Sequence, residues 1–406
     1  MPLLIVFVVV AVNQDLTEWT TPHYWPSVMG SSMSPLPFIA TICAGLGAWE
    51  GARLTRGAVF QQPSVRGPLQ ITGAVLVPVI LGGLLTCLAG VAVSATAAGV
   101  SWGFPDWRIL AVEFLLILAS TLAGYCVGRQ FNPAVSVPVS LIGAFVANSY
   151  PRSWDTLWVR HLVGSAFVDC CTPSEIFNVR AIWSAVAFTA GIILACAVII
   201  DRRATRPAIA AGLALLVLGT ATGVSLARPL SSSAVTARPD NQLRCTQEQD
   251  VTVCLWPEVV HPGAVRAQAA SIVKSLRSAG VPVPAELTMS ARPAHGATRL
   301  GNFTEANADQ VRSAVISGLM PATPRCALRG PYPAQVAAAP VAAWMFLSAG
   351  ATQAQTAAHT DNNTTALAQK VRTLSPAQQK AWYDRNTAAM RTCTGKPQLS
   401  PEAGTA

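Results

Sequence analysis

The run Asp201-Arg202-Arg203-Ala204-Thr205-Arg206-Pro207 and the apolar stretch Ala208–Leu226 behind it decide how this chain is read. The run joins that stretch to an earlier apolar segment, Ile182–Ile200. Arginines clustered between two hydrophobic segments mark a turn on the cytoplasmic face of a membrane, where short loops collect Lys and Arg. With Arg202, Arg203 and Arg206 inside, Ala208–Leu226 runs outward and everything after Leu226 is extracytoplasmic. The chain therefore divides into a transmembrane helical domain, 1–228, and an extracytoplasmic domain, 229–406.

Composition points the same way. Half of the residues are hydrophobic (51%) and only 12% are charged, against about 25% charged in soluble domains. The net charge of +9 is spread out, and the first lysine is Lys274. Without a dense basic run interleaved with aromatics, membrane lipid is the expected charged partner and nucleic acid is not.

Outward from the deciding turn, about seven spans are expected. Met1–Val12 is apolar but shorter than the ~20 residues a bilayer requires, and is read as the truncated end of a first span. Tyr24 and Trp25, with Trp19, place the next stretch at an outer interface. Pro35–Trp49, extended back to Val28, is the second span. Its end and the loop Glu50–Gln70 carry Glu50, Arg53, Arg56 and Arg66 and are read as cytoplasmic, with Glu50 and Arg53 spaced to pair on a helix end. Ile71–Ala95 and Ile109–Val127 follow, separated by an outer turn with Trp102, Phe104 and Trp107. Asn132–Ser149 is the fifth span, where Pro133 and Pro138 are expected to kink the helix. Tyr150–Arg180 mixes aromatic and charged residues and is expected to lie in the outer interface as short helices.

Beyond Arg228 an α-rich α+β domain is expected. Val251–Trp256 has strand propensity. Val265, Ala269, Ile272, Val273 and Leu276 recur at helical spacing before Gly280, and Val311, Val315, Ile316 and Leu319 do the same. Ser375-Pro-Ala-Gln378 is a capping box that opens a final helix. Val336–Leu347 is apolar enough to raise an eighth span, but it is short and interrupted by Pro340, so a buried helix is expected.

Cysteines test the topology. Cys43, Cys87, Cys126 and Cys196 fall inside spans, where a thiol behaves as a small hydrophobe. Cys170, Cys171, Cys245, Cys254, Cys326 and Cys393 fall on the expected outside, which suits an oxidising compartment. The last four allow three pairings, of which Cys245–Cys254 with Cys326–Cys393 is the first choice. Zinc is the rival, but no C-x-x-C pair or adjacent His supports it. Cys170 and Cys171, nine residues after His161, fit a bridge to other cysteines, simple burial or a metal-capture site.

No catalytic signature appears: no H-E-x-x-H, no G-x-S-x-G and no Walker G-x-x-x-x-G-K. Neither an enzyme nor a cofactor is expected. Glu113 is the one carboxylate inside a span and so a candidate intramembrane polar site. Its rival role is an interface ion beside Arg108.

Six spans, a basic loop after the second and an amphipathic loop between the fifth and sixth resemble the type-two ABC exporter permeases. The resemblance implies a membrane subunit, homodimeric or heterodimeric, energised by a separate ATPase that meets the Glu50–Gln70 loop. It also implies that Tyr150–Arg180 forms short re-entrant helices. The seventh span and the tail with Cys245-x8-Cys254-Leu-Trp-Pro-Glu258 resemble actinobacterial permease-like membrane proteins of unassigned substrate. The alternative is a membrane-anchored extracellular binding, sensory or assembly protein without transport.

Overall fold

The computed structural model describes residues 2–12, 20–63, 65–100, 103–201, 205–328 and 330–400. Trp19, Trp102, Arg202 and Arg203 lie outside them, so the deciding turn is described only at Asp201 and from Thr205 onward. Internal contacts divide the chain into residues 1–236 and 237–406. That boundary falls beyond the expected 228/229, because the stretch after the helix Arg206–Ala227 folds back: Ser231 and Ala234 bond to residues of the helical unit.

The first unit is helical. Among the described residues, five helices are long and apolar enough to cross a membrane. Helices Trp25–Ser32 and Leu36–Arg56 make a sixth span if taken together, with a 43° bend between them. Pro2–Ala11 is a ten-residue apolar helix, about half of what a bilayer requires.

Three expected boundaries shift, each for a local reason. The second helix does not start cleanly at Pro35, because Met33–Pro35 forms a turn that separates the two bent helices. It also continues through Glu50 and Arg53 to Arg56, so the connection to Pro68 covers only 57–67 rather than Glu50–Gln70. The fifth expected span starts at Pro133 with Asn132 as its N-cap, the Asn132 side chain accepting from the Val135 amide. Pro133 thus opens the helix, where its missing N–H costs nothing, and Pro138 alone is interior.

Helix contact in this unit is built on small residues. An added Cβ at Gly124 or Gly128 would meet the main chain of Ala44 or Ala48, and one at Gly47 or Gly51 would meet the main chain near Thr121 or Tyr125. Leu36–Arg56 and Trp107–Gln130 therefore touch main chain to main chain, the arrangement that favours helix association in lipid. Gly191 and Gly219 do the same for Val179–Asp201 and Arg206–Ala227, and Ser184 Oγ donates across that pair to Gly223 O at 3.0 Å.

The second unit is α+β. Arg244–Glu248 and Val251–Leu255 form an antiparallel hairpin; Glu286–Thr288 and then Ala297–Arg299 extend the sheet in parallel. The amphipathic helix Pro262–Ser278 makes the crossover between the second and third strands, burying Val265, Ala269, Ile272, Val273 and Leu276. It ends two residues before Gly280, with Ala279 as its C-cap, and Gly280 takes φ +85°, a conformation that a Cβ disfavours. Asn307 and Ser375 cap the helices Ala308–Leu319 and Pro376–Met390, each in a reciprocal capping box.

The core holds Trp256, Trp344 and Trp382, each at most 1% exposed. Their indole N–H groups donate to Met289 O, Gln379 Oε1 and Leu399 O at 3.1–3.2 Å, as buried indoles require. The apolar stretch Val336–Leu347 becomes the turn Pro333–Ala337 and the helix Ala338–Ser348. Its Val341, Trp344, Met345 and Phe346 are buried in this core.

Candidate functional site

One end of the helical unit gathers charge. Arg53 pairs with Glu50 at 2.7 Å on the last turns of the Leu36–Arg56 helix. Arg56 lies over the Trp49 ring at 5.8 Å, and Arg129 lies over the Phe60 ring at 4.7 Å. Leu54, Tyr125, Cys196 and Ile200 share one buried cluster, so Asp201 belongs to this same end. Basic residues near helix C-termini complement the carbonyl ends of the dipoles. Arg66 is exposed within 57–67. The sequence-chosen set Glu50, Arg53, Arg56 and Arg66 is thus a helix end plus a short connection.

The opposite end is a folded cap. His23 N–H donates to Ala98 O, Thr21 Oγ donates to Cys171 O, and the Tyr24 hydroxyl donates to Glu175 O. Residues 150–177 form short turns, the helix Val159–Leu162 and the strand Glu175–Phe177, with Phe167 and Phe177 packed edge to face at 5.6 Å. The sulfurs of Cys170 and Cys171 are placed as a bonded pair.

His161, offered beside those cysteines as a metal ligand, points elsewhere. Its Nε2 lies 2.9 Å from Ser231 O, so Nε2 carries the hydrogen and Nδ1 is bare. Burial, with Arg160 as a smaller influence, holds this imidazole below the ordinary histidine range despite the Ser231 bond. Among the described residues, no group of three His, Cys, Asp or Glu side chains is spaced to hold a metal.

Glu113 is fully buried. Arg108, five residues earlier on the same helix, grips Asp106 with its guanidinium at 2.7 Å. The Glu113 carboxyl faces the helix break, with Ser32 Oγ 3.3 Å from Oε1. Ser32 Oγ also lies 2.9 Å from Met29 O, so its single hydrogen has two competing acceptors. Glu113 Oε2 has no hydrogen-bond partner among the described residues. Ser32 was not singled out from the sequence, because a serine in an apolar run carries no signal until the helix breaks beside it.

The helical unit also contains two neighbouring cavities, of about 340 and 220 Å³, whose walls share Asn148 and Val163. In the second unit a cavity of about 720 Å³ is lined by Ser317, Tyr332, Gln335, Phe346, His359 and Met390 among others. His359 stacks on Phe346 at 4.7 Å. Cys326 and Cys393 are placed as a bonded pair, as are Cys245 and Cys254 across the hairpin.

A family model described as a domain of unknown function, DUF7224, matches residues 253–393. The match covers most of the second unit and does not extend into the helical one. No curated protein and no solved structure matches the chain.

Proposed function

We propose that the chain is the integral membrane subunit of an ABC-type export system, energised by a separate ATPase and working as a dimer in the cell membrane. The observation that carries this reading is the folded cap at residues 150–177. A simple anchor needs no buried structure between two spans. Here His161, Leu162, Ala166, Phe167 and Phe177 are nearly inaccessible, so the connection is packed into the bundle as the exporter resemblance implies. The charged opposite end supports the same reading. Glu50, Arg53, Arg56 and Arg129 would face the cytoplasm by the positive-inside rule, leaving the cap and the cysteine-paired unit outside, where disulfides persist.

The test is purification of the full chain from its native membrane together with whatever ATPase it holds. Reversing Arg53 and Arg56 to Glu should weaken that association while the chain still inserts. Unchanged association would remove this helix end from the ATPase contact, and no associated ATPase in the wild-type chain would remove the exporter reading. A second reading, extracellular binding, is favoured by the 720 Å³ cavity of the second unit, which falls within the size range of small-ligand sites.

A further inference from the structure

The larger cavity of the helical unit lies among the Trp107–Gln130, Pro133–Ser149 and Val179–Asp201 helices. Its wall is almost wholly apolar, with Leu116, Val139, Ala144 and Phe188 among its residues. The smaller cavity continues beyond Asn148 and Val163, and its wall turns polar with Ser34, Ser149, Ser165 and Arg152. Polarity thus rises in one direction along the pair.

Two hydroxyls in these walls are unanswered. Ser140 is 6% exposed, lines the apolar cavity, and its Oγ has no hydrogen-bond partner among the described residues. A serine in a membrane helix commonly turns its hydroxyl back onto the carbonyl four residues earlier, as Thr121 and Thr189 do here with Ile117 and Ala185. Ser34 Oγ, in the wall of the polar cavity, is buried and equally unpartnered. Buried hydroxyls without partners are rare in native interiors. A ligand that brings oxygen atoms to these two points, with an apolar chain between and below them, would satisfy both.

Arg152 at the polar mouth is already paired with Asp169, and the two side chains are about half exposed. The mouth therefore offers one cation and one anion together, which matches a zwitterionic or uncharged head better than an anionic one. The apolar cavity, near the lower end of the size range for small-ligand sites, suits one chain rather than two.

We propose that the helical unit binds one chain of an amphiphile, its apolar chain in the cavity lined by Ser140, an oxygen of its linkage at the Ser140 hydroxyl, and its uncharged or zwitterionic head beside Ser34 and Arg152. The site does not depend on an ATPase and stands apart from the export reading. Its occupant is either a free amphiphile or one leg of a bilayer lipid; the chemistry is shared.

The test uses the full chain in lipid nanodiscs and a lysophosphatidylcholine with a photoactivatable group in its acyl chain, mapped by mass spectrometry. Label should concentrate on peptides spanning Val139–Asn148 and Leu116–Val127. Gly143 lines the apolar cavity and has open space where a Cβ would go, so Gly143→Leu should fill the cavity and drop the label to the level of lipid-facing peptides. Gly73→Leu, which also enters open space but on the Pro68–Ala97 helix, should leave the label unchanged and controls for folding. Ser140→Ala, which fills nothing, should shorten retention of the probe. A two-chain phosphatidylcholine probe separates the sources: label lost with Gly143→Leu for both probes identifies bilayer lipid, and for the single-chain probe alone a free amphiphile. Label that survives Gly143→Leu overturns the site. So does an absence of label with the Pro133–Ser149 helix cross-linking to a second copy, which would make the cavity a seam between subunits.

Discussion

The two units of this chain fill their interiors by opposite means. In the helical unit the closest helix pair meets main chain to main chain at Gly47, Gly51, Gly124 and Gly128, and the cysteines within its long helices, Cys43, Cys87, Cys126 and Cys196, are free, while Cys170 and Cys171 of its cap are paired. In the second unit bulky rings fill the centre, Trp344 lying 6.3 Å from Trp382 and 5.3 Å from Tyr383, and the cysteines are paired. With the helical unit in a bilayer, as proposed, the difference follows from the solvent. Where water is the competitor, removing large apolar surface drives collapse. Where lipid is the competitor, apolar surface gains little by changing neighbours, and shape and close contact decide. Single glycines therefore do different work: Gly124 lets two helices meet main chain to main chain, whereas Gly280 follows a helix end.

The largest expected effect tests the close-contact half. Gly124→Val places a branched side chain against the Ala44 main chain, which belongs to the facing helix and cannot rotate away. We expect a loss above about 4 kcal/mol, the range that marks a broken core rather than a trimmed one, read as loss of monodisperse, heat-cooperative protein in detergent. Gly143→Ala, with nothing within 4 Å of the added Cβ, should be neutral. If both variants unfold alike, small residues are not what holds this pair together.

The next effect concerns the cysteine pairs. Cys245 and Cys254 are 9 residues apart, and Cys326 and Cys393 are 67 apart. In the chain-entropy account the short loop contributes about 3 kcal/mol and the long one about 4 kcal/mol. Cys393→Ser should therefore destabilise the second unit by roughly 1–2 kcal/mol more than Cys245→Ser, measured by non-reducing denaturant titration of the full chain. Equal losses would mean that the pairs act through local packing instead.

Much of this contrast was readable in advance, and what was not has physical causes. Hydropathy located the long helices, because a bilayer imposes length and apolarity on each span separately. The Ser375 capping box and the Pro262–Ser278 helix were readable because their signals are local. The break at Met33–Pro35 was not, since Met33-Ser34-Pro35 inside an apolar run fits a kink, a helix start or a turn until neighbours choose. Ser32 and Ser140 were invisible for the same reason: a hydroxyl becomes informative only once its partner, or the lack of one, is fixed by packing. Glu113 stood out by type, but its surroundings depended on that break. The parallel strands Glu286–Thr288 and Ala297–Arg299 are three residues each, too short for periodicity to register.

The smallest expected effect lies in the cap of the helical unit, where a polar ring is buried with a single hydrogen bond. His161 donates from Nε2 to Ser231 O and leaves Nδ1 bare and unpartnered among the described residues. Protonating Nδ1 would put a charge and an unpaired N–H into a buried site beside Arg160, which is why burial holds this group below the ordinary histidine value of 6.5. The sign follows from linkage: as pH falls below that value the unfolded chain takes up a proton that the folded cap refuses, so stability falls with acidification and is fully present above it. His161→Gln keeps a side-chain N–H for Ser231 but does not titrate. Between about pH 7.5 and pH 5, a window that brackets the histidine range, the melting temperature of the wild-type chain should fall more steeply than that of His161→Gln, the two converging at the acid end. Parallel pH profiles would show that the cap tolerates a charged imidazole, and that its polar interior is wetter than the Ser231 contact implies.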